Sequence, residues 1–438
     1  MEKGSRLLIE SLWAKLSDKP VVIGSVPLQG VRTRLERLLK DLGELNINNS
    51  VALWTRYYRD KHPLFASGNH KPASLEIDLT TYCDSGCFFC KEGRDKLEFE
   101  YPFEKLVADL TSLALLPDKP LIIFSGGGEP TAYRRFAEAM RCAHNLGFET
   151  YVSTHGGTIG TPEVPREVFT ECATILKVSI GAADHRTYNK VHNRGQAIPQ
   201  GDIRTVDYVL EQCRRISLNR RSVISLGEVV KLPRILIAMT VSPINQGEVL
   251  LMTQKAVEAG ADTLLFRPII TSHRQLLEID VGLTQMQEAR LRYGDQIEIL
   301  TFNHRIDYGY QREDYFDRCI SHPVVSPDGA SDGSGTVTPC IFRRGNRAEN
   351  GWITISGAKT TPLRDLIQSP AYQKVALEQD RNLHEPGLKR CPRCRKVSLN
   401  IFTDILRQAS EQEREIICEI VLLLYPRNPL GEIIKGLH

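Results

Sequence analysis

The sequence predicts an α/β fold organised on a parallel β-sheet. Short apolar runs of strand length alternate with longer amphipathic runs of helical length, six times from residue 75 onward and without an internal repeat. Repeated β–α units imply parallel strands joined by right-handed crossovers. The expected strands run from Leu75 to Leu79, Leu121 to Phe124, Phe148 to Ser153, Ile175 to Ile180, Ile235 to Val241 and Thr263 to Phe266.

Amphipathic runs between these strands predict the covering helices, because apolar residues recur there at helical spacing. The connection from Gly195 to Pro233 is longer than one helix requires and carries two Arg-Arg pairs. We expect a solvated basic loop there, with a contact for an anionic substrate or partner protein as the alternative. The main helical runs extend from Phe103 to Leu116, Tyr133 to Leu146, Ile203 to Ile216, Gly247 to Ala259 and around Thr284 to Leu300.

Length, composition and charge are those of an ordinary globular protein. The chain has 438 residues, of which 41% are apolar and 25% charged, and this length suggests two to three domains. A net charge of +3, with basic residues spread along the chain, predicts no nucleic-acid partner. The longest apolar stretch, Ile416 to Tyr425, is too short to span a bilayer, and residues 1–16 lack a secretory signal. We therefore expect a cytoplasmic protein with no membrane association.

Three cysteines follow the first predicted strand with the spacing C-x3-C-x2-C. They are Cys83, Cys87 and Cys90. Three thiolates on one tight loop can bind three irons of a cubane [4Fe–4S] cluster and leave the fourth iron open. A zinc site usually takes four ligands, often in C-x2-C pairs, and the bacterial ferredoxin run is C-x2-C-x2-C, so neither pattern fits. Chance clustering among the eleven cysteines is the alternative interpretation.

A glycine-rich turn follows the second predicted strand. It reads Ser125-Gly126-Gly127-Gly128-Glu129-Pro130-Thr131 and lies about forty residues after the cysteines. Glycine also marks any sharp strand-to-helix turn, so this motif alone is weak. Reactive groups of α/β barrels gather at the carboxyl ends of the strands, which is where both motifs fall. The two motifs are therefore expected to meet at one edge of the sheet.

Together these motifs resemble the signature of the radical S-adenosylmethionine (radical SAM) superfamily, including the aromatic Phe89 just before the third cysteine. The resemblance implies an open, TIM-like partial (β/α)6 barrel over residues 73–300. It implies a [4Fe–4S] cluster on the three cysteines, with SAM chelating the open iron. It also implies that the backbone and acidic side chain of the glycine motif hold the methionine amino group of SAM. The residues concerned are Gly126, Gly127, Gly128, Glu129 and Pro130.

Polar residues at the ends of the other strands are further candidates for contacts with SAM. Ser153, followed by Thr154 and His155, ends the third strand, and Arg267 follows the sixth. The resemblance places a polar residue of the fourth strand near the SAM carboxylate or ribose, and Ser179 occupies that position. Each of these side chains could instead satisfy local backbone groups.

A second cysteine group lies between residues 301 and 400. Cys319 and Cys340 are followed about fifty residues later by Cys391-Pro392-Arg393-Cys394. Four thiolates can close a zinc site, and zinc remains the alternative. Beside the first resemblance, the spacing resembles the twitch subdomain, a shortened SPASM-type extension with an auxiliary [4Fe–4S] cluster. Full thiolate ligation leaves no vacant iron, so electron transfer is the expected role of this cluster.

The remaining segments flank these two units. Residues 1–72 contain amphipathic runs, Arg6 to Leu16 and Val31 to Leu42, and show no strand-rich pattern, so we expect a helical extension that caps the barrel. A peptide-recognition module is the alternative for this position. Residues 401–438 are expected to form a C-terminal helical tail. Isolated cysteines in helical patterns suit a reducing compartment without disulfides; they are Cys142, Cys172, Cys213 and Cys418.

The resemblance implies an enzyme that cleaves SAM and uses the 5′-deoxyadenosyl radical to abstract a hydrogen atom. We expect a small polar substrate such as a sugar, aminocyclitol or aminoglycoside, with dehydrogenation, dehydration or epimerisation as the outcome. A peptide maturase that oxidises or cross-links a ribosomal precursor is the alternative. An electron donor such as flavodoxin or ferredoxin is implied as a partner. A purely structural iron–sulfur or zinc scaffold would have no use for the glycine motif, which is present.

Overall fold

The computed structural model describes about three fifths of the chain. The cysteine loop and the glycine turn lie within the described part, and the second cysteine group lies outside it. The described residues are 10–17, 19, 21–23, 26–28, 30–36, 74–90, 99–117, 119–192, 205–225, 228–269, 279–301, 324–326, 336–338, 355–356, 360–374, 405–406 and 409–424.

The described strands fall into one large sheet and two hairpins. They are β1 (Val21–Ile23), β2 (Val26–Leu28), β3 (Ser74–Asp78), β4 (Leu121–Ser125), β5 (Thr150–Thr154), β6 (Ile175–Ser179), β7 (Arg221–Ser225), β8 (Glu228–Leu232), β9 (Arg234–Val241), β10 (Thr263–Pro268), β11 (Glu298–Thr301), β12 (Val324–Ser326), β13 (Thr336–Thr338) and β14 (Ile355–Ser356).

Seven parallel strands form the centre of the large sheet, in the order β11-β10-β9-β6-β5-β4-β3. Because successive strands are added on one side, every connection crosses over the same face and the sheet curls towards a barrel. The predicted parallel α/β sheet is confirmed, and each of the six expected strands is present. β11 was not expected, because the preceding helix was extended to Leu300. That helix ends at Tyr293, and Gly294 follows as its C-cap.

The sheet continues beyond β3 into the C-terminal part of the chain. β12 pairs in parallel with β3, and β13 and β14 then add in antiparallel register. The hairpin of β12 and β13 lies in the sequence between Cys319 and Cys340. The four cysteines predicted to hold an auxiliary cluster, Cys319, Cys340, Cys391 and Cys394, lie outside the described residues.

The helices of the barrel pack on the outer face of the sheet. α1 shows why, since Leu106, Leu110 and Leu113 recur at helical spacing and share a core cluster with Leu75 and Ile77 of β3. None of the described helices is long and apolar enough to cross a membrane. The described helices are α1 (Phe103–Ala114), α2 (Phe136–Asn145), α3 (Arg166–Cys172), α4 (His185–His192), α5 (Val206–Leu218), α6 (Val249–Glu258), α7 (Asp280–Tyr293), α8 (Leu363–Gln368) and α9 (Glu411–Leu424).

The inner face of the sheet divides into an apolar and a polar layer. Ile175, Leu236, Leu265 and Leu300 form a separate core cluster. Side chains alternate between the two faces along a strand, so every second residue faces the same side. Polar residues at these alternate positions therefore share the inner face with the apolar cluster. They lie nearer the carboxyl ends and include Glu76, Asp78, Ser153, Lys177, Ser179 and Arg267.

The described part of the basic segment before β9, residues 205–225 and 228–232, is mostly helix and strand and not the expected solvated loop. α5 runs to Leu218, and β7 and β8 form an antiparallel hairpin directly after it. Arg220 donates to both carboxylate oxygens of Asp262 at 2.8 and 2.7 Å, and Arg221 donates to the Thr170 carbonyl at 2.6 Å. These arginines brace neighbouring elements, because buried guanidinium groups require fixed acceptors.

The N-terminal extension contains a small sheet as well as helical turns. Residues 10–13 and 31–36 are helical, and β1 and β2 form a two-stranded antiparallel hairpin between them. The expectation of helices alone is therefore wrong for residues 21–28. The extension also meets the C-terminal helix, because the Ser17 N–H donates to the Glu413 carboxylate of α9 at 3.0 Å.

Candidate active site

The cysteine loop leaves β3 at the carboxyl edge of the sheet, and backbone pairing closes its base. The Thr81 N–H donates to the Phe99 carbonyl at 2.9 Å, and the Tyr101 N–H donates to the Leu79 carbonyl at 2.8 Å. Thr81 also accepts the Phe99 N–H through its hydroxyl, at 2.8 Å. Residues 79–81 before the cysteines are therefore joined by hydrogen bonds to residues 99–101 after them.

The three cysteines of this loop are free thiols that differ in their exposure to solvent. Cys83 and Cys87 are half-buried, and Cys90 is exposed. Burial raises the pKa of Cys83 to about 12, with the charge of Glu129 adding to the effect. Burial likewise raises the pKa of Cys87 to about 11, while a hydrogen bond from Ser85 opposes the shift. Among the described residues no positive charge lowers the pKa of either thiol, and a bound metal would supply such a charge.

The glycine turn after β4 lies directly against the cysteine loop. A Cβ atom on Gly128 would sit 2.1 Å from the Tyr82 carbonyl oxygen and 2.7 Å from that of Thr80. Glu129 donates its N–H to the same Tyr82 carbonyl at 2.7 Å. Gly126 adopts a φ of 136°, which residues with a side chain rarely tolerate. Both glycines are thus required for the two loops to touch.

The Glu129 carboxylate is 4% exposed and is used within the fold. It accepts the Thr131 N–H at 3.1 Å, the Thr131 hydroxyl at 2.7 Å and the His155 N–H at 2.9 Å. A carboxylate offers about four acceptor positions, and donors from the described residues fill three of them. The side chain therefore holds the turn to the end of β5 and retains room for a single ligand contact.

His155 links the end of β5 to the cysteine loop. Its Nδ1 atom accepts the Gly157 N–H at 3.0 Å, so the neutral ring carries its proton on Nε2. Nε2 lies 2.6 Å from the Asp84 carboxylate and 3.5 Å from that of Glu129. Ligand atoms of Cys83, Asp84 and His155 lie within 4.8 Å of one another. Three strand ends thus converge at the first cysteine.

His192 reaches the same loop from α4, and sequence reasoning missed it. Its Nδ1 atom lies 3.2 Å from the Cys87 Sγ atom, and Nε2 accepts the Gly181 N–H at 2.9 Å. Burial lowers the pKa of His192 to about 3, and the neighbouring His155 acts in the same direction, so the ring is neutral. No sequence pattern connects residues 105 positions apart, and a lone histidine in a helical run gives no signal.

Two aromatic side chains of the cysteine loop meet α4. Phe89 lies edge-to-face with Phe88 at a centroid distance of 5.4 Å and with His192 at 6.3 Å. The Phe88 N–H donates to the Val191 carbonyl at 3.0 Å. The aromatic residue singled out beside the third cysteine therefore helps to hold the loop on the helix.

The three remaining candidates for SAM contacts lie on the inner face of the sheet. Ser153 accepts from the Lys177 ammonium group at 3.0 Å, so its hydroxyl serves a neighbouring strand. Ser179 is half-buried at the last position of β6. Burial lowers the pKa of Arg267, while the nearby Tyr151 acts in the opposite direction. The structure thus brings the glycine motif to the cysteines and places these three residues along the inner wall.

Loops that converge at the carboxyl edge of a parallel sheet lie where α/β barrels place their active sites. Residues 77–227 match the family profile described as the radical SAM superfamily. This part of the chain is therefore a radical SAM domain. A [4Fe–4S] cluster and SAM are the cofactors of that superfamily.

Similarity to individual proteins is more limited. The chain is 30% identical over 95 residues to the tungsten-containing aldehyde ferredoxin oxidoreductase cofactor-modifying protein of Pyrococcus furiosus. That alignment covers 22% of this chain and 26% of the relative, so the chain spans about a quarter of the curated protein it matches.

Several solved structures share part of the backbone arrangement. SuiB of Streptococcus suis bound to S-adenosylmethionine gives a TM-score of 0.49 with 14% identity, over 73% of this chain and 72% of SuiB. SuiB bound to its precursor peptide SuiA gives 0.49 with 12% identity, over 79% and 71%. The enzyme anSMEcpe with bound AdoMet gives 0.48 with 15% identity, over 75% and 88%.

The donor set of the cysteine loop fits a cluster with one open iron. The loop supplies three free thiols. The other free cysteines in the described part of the chain belong to the helices α2, α3, α5 and α9. Three thiolates match three irons of a cubane, and the glycine turn lies against the same loop.

Proposed function

We propose that Cys83, Cys87 and Cys90 ligate the [4Fe–4S] cluster and that the glycine turn binds the methionine part of SAM beside it. The observation that carries this proposal is the contact of the turn with the loop, where a Cβ on Gly128 would overlap the Tyr82 carbonyl. When bound, the cluster and SAM supply a 5′-deoxyadenosyl radical that abstracts a hydrogen atom from substrate. A flavodoxin or ferredoxin is the natural electron donor.

The residues of the chain hold and orient these groups. His155 and Thr131 fix the Glu129 carboxylate, which keeps one acceptor position for the methionine amino group. Ser153, Ser179 and Arg267 line the inner wall, where they supply polar contacts for the rest of SAM or for substrate. The apolar layer of Ile175, Leu236, Leu265 and Leu300 closes the opposite end and excludes water.

A peptide is the substrate class that we favour over the small sugars first expected. The carrying observation is the β1–β2 hairpin of the N-terminal extension, which in the described part of the chain forms a sheet of only two strands. Its two-residue loop closes on the pair Ile23–Val26, so the next pair, Val22–Pro27, is of the type without mutual hydrogen bonds. The Val22 peptide groups therefore point away from β2 and can receive an extended peptide strand.

A precursor peptide is the partner named for SuiB, and the curated relative is described as a cofactor-modifying protein. The proposal of a peptide substrate for this chain rests on the β1–β2 hairpin of its own N-terminal extension. We retain the auxiliary [4Fe–4S] cluster on Cys319, Cys340, Cys391 and Cys394 as part of the proposal, with electron transfer as its role. The nearby hairpin of β12 and β13 supports a compact ligand loop there.

Anaerobic reconstitution tests the cluster assignments. About eight irons per chain are expected for two cubanes, and about four would remove the auxiliary cluster. Changing Cys83, Cys87 and Cys90 to Ala should abolish reductive formation of 5′-deoxyadenosine. Cys142→Ala on α2 is the matched control and should leave it intact. Retained SAM cleavage in the triple variant would refute the catalytic assignment.

Substrate assays decide between peptide and sugar. The full chain is tested with precursor peptides encoded beside its gene and, separately, with sugars and aminocyclitols, and deuterium transfer into 5′-deoxyadenosine is measured. Val22→Pro removes an outward N–H without touching the pairing of β1 with β2, so it should weaken peptide binding and spare peptide-independent SAM cleavage. Deuterium transfer from a sugar and none from a peptide would restore the first expectation.

A further inference from the structure

His192 donates a hydrogen bond to a sulfur of the cysteine loop. The Gly181 N–H can act only as a donor, and it lies 2.9 Å from Nε2 of His192, so Nε2 carries no proton. A neutral imidazole has one N–H, which must then be on Nδ1. Nδ1 lies 3.2 Å from the Cys87 Sγ atom. The imidazole therefore presents its only proton to Cys87.

The ring is held so that this donor cannot turn away. His192 is 3% exposed and stacks on Tyr188 at a centroid distance of 4.3 Å. Phe89 meets it edge-to-face at 6.3 Å. A Cβ on Gly181 would lie 2.8 Å from Nε2 and 2.3 Å from the Val191 side chain, so a glycine is needed for the ring to fit. Helix, loop and strand end together fix the ring orientation.

A second donor lies at the same sulfur. The Ser85 hydroxyl is 3.2 Å from the Cys87 Sγ atom and 3.3 Å from the His192 carbonyl. A hydroxyl has one proton to donate, so it serves either the sulfur or the carbonyl at a given moment. Among the described residues, the Ser85 oxygen at 3.4 Å is the other acceptor near Nδ1, and it is farther away than the sulfur. His192 is therefore the more constant donor.

We propose that His192 is a positioning residue that sets the reduction potential of the cluster through its hydrogen bond to the Cys87 sulfur. The inference rests on the proposed function, because it requires a cluster on Cys83, Cys87 and Cys90. Reduction adds negative charge that is shared with the thiolate sulfurs. A donor at one sulfur stabilises the reduced form more than the oxidised form, so its removal lowers the potential.

Two substitutions separate the donor to sulfur from the acceptor for Gly181. The side-chain amide nitrogen of Asn falls near the position of Nδ1, whereas the amide of Gln reaches the position of Nε2. His192→Asn should keep a donor at Cys87, and His192→Gln should keep an acceptor for Gly181 but lose the donor. Losing it should make reduction about tenfold less favourable, as expected for one charge-assisted hydrogen bond. That shift equals about 59 mV for a one-electron couple.

The experiment is an anaerobic redox titration of the reconstituted full chain, followed by the electron paramagnetic resonance signal of the reduced cluster. His192→Gln should titrate at a lower potential than the wild type, and His192→Asn should lie close to the wild type. His185→Gln, an exposed histidine on the same helix, is the matched control and should titrate as the wild type does. An unchanged potential in a fully loaded His192→Gln protein would overturn the inference.

A measurement on the wild type covers the case in which His192→Gln does not load iron. With histidine labelled in nitrogen-15, pulsed paramagnetic resonance of the reduced cluster should show a weak nitrogen coupling that is lost in His192→Asn, whereas a coupling to His155 beside Cys83 should remain in both proteins. A loaded wild type without such a coupling would also overturn the inference. A wild type that binds no cluster on these cysteines would instead refute the proposed function, so the two failures are distinguishable.

Discussion

The backbone N–H of His155 donates to the carboxylate of Glu129 at 2.9 Å, which ties the end of β5 to the glycine turn after β4. The same carboxylate accepts twice from Thr131, and the His155 ring reaches on to Asp84 beside the first cysteine. The acidic residue of the glycine motif therefore has a role within the fold that precedes any contact with SAM. Loss of this carboxylate should loosen the turn and the cysteine loop together.

Glu129→Gln tests this role. One oxygen remains to accept, but the new amide group faces N–H donors and leaves at least one of them unpaired in a buried site. We expect a loss of about 1–3 kcal/mol in the free energy of unfolding. Denaturant unfolding of the apoprotein measures it, and SAM affinity of the reconstituted enzyme should fall in parallel. Glu138→Gln on α2 is the control, because that carboxylate lies exposed beside Arg135.

Gly128→Ala is expected to separate the glycine turn from the cysteine loop. The new Cβ would lie 2.1 Å from the Tyr82 carbonyl oxygen, and backbone must move to relieve the contact. Overpacking of this kind costs about 1–3 kcal/mol. Thermal unfolding should show this loss together with reduced iron incorporation.

Gly247→Ala provides the matched control for that substitution, since a Cβ there meets no atom within 4 Å. It should unfold within error of the wild type. Equal stability of the two variants would show that the turn and the loop do not touch as described.

Periodicity made the sheet predictable, whereas contacts distant in sequence were not. Buried strands such as β4 and β6 are runs of apolar residues bounded by turns, and their positions shifted by a residue or two at most. β11 was missed because its four residues follow the helix after only four residues, Gly294 to Ile297, and the helical run was extended over them. β7 and β8 were missed because arginine pairs suggested solvent, although the arginines bind Asp262 and the Thr170 carbonyl.

For the candidate site, too, local motifs were predictable from the sequence and contacts between distant residues were not. The cysteine and glycine motifs carry their chemistry in local spacing, and their meeting follows from two adjacent parallel strands. The contacts of His192 with Cys87 and of His155 with Asp84 depend on how helices and loops pack, which no spacing encodes. Such residues become visible only when the distances are measured.

The three cysteines of the apoprotein should differ in reactivity towards an alkylating agent. Cys90 is exposed, whereas the raised pKa values of Cys83, about 12, and Cys87, about 11, leave few thiolates near neutral pH. The thiolate is the reactive form, so Cys90 should be labelled first at pH 7.5. Mass spectrometry of quenched samples measures the order.

The rate at which Cys87 is alkylated should increase with pH. Below its pKa a thiol gains about tenfold in thiolate for each pH unit, so labelling of Cys87 should rise about a hundredfold between pH 7.5 and 9.5. Cluster loading should protect all three residues. Equal labelling rates for Cys87 and Cys90 at pH 7.5 would contradict the burial of the loop.

Asp109 is expected to hold the C-terminal segment on the barrel. The carboxylate is fully buried on α1, where it binds the Lys105 ammonium group and accepts the Tyr101 hydroxyl at 2.7 Å. It also accepts the Leu363 N–H, the first residue of α8, at 3.1 Å. Lys105 in turn donates to the Thr361 carbonyl at 3.1 Å. One side chain thus joins elements more than 250 residues apart.

Asp109→Ala leaves buried donors on Tyr101, Lys105 and Leu363 without their acceptor. Removing one partner of a buried charge pair costs about 3–5 kcal/mol, so a large fall in the free energy of unfolding is expected. Limited proteolysis should show earlier cleavage around residues 360–374, because α8 loses its attachment to α1. Asp365→Ala lies on α8 itself, and among the described residues Asp365 pairs with the neighbouring Arg364 at an exposed position, so this variant should preserve both stability and protease resistance. Equal protease sensitivity in the two variants would show that Asp109 stabilises α1 alone and does not anchor α8.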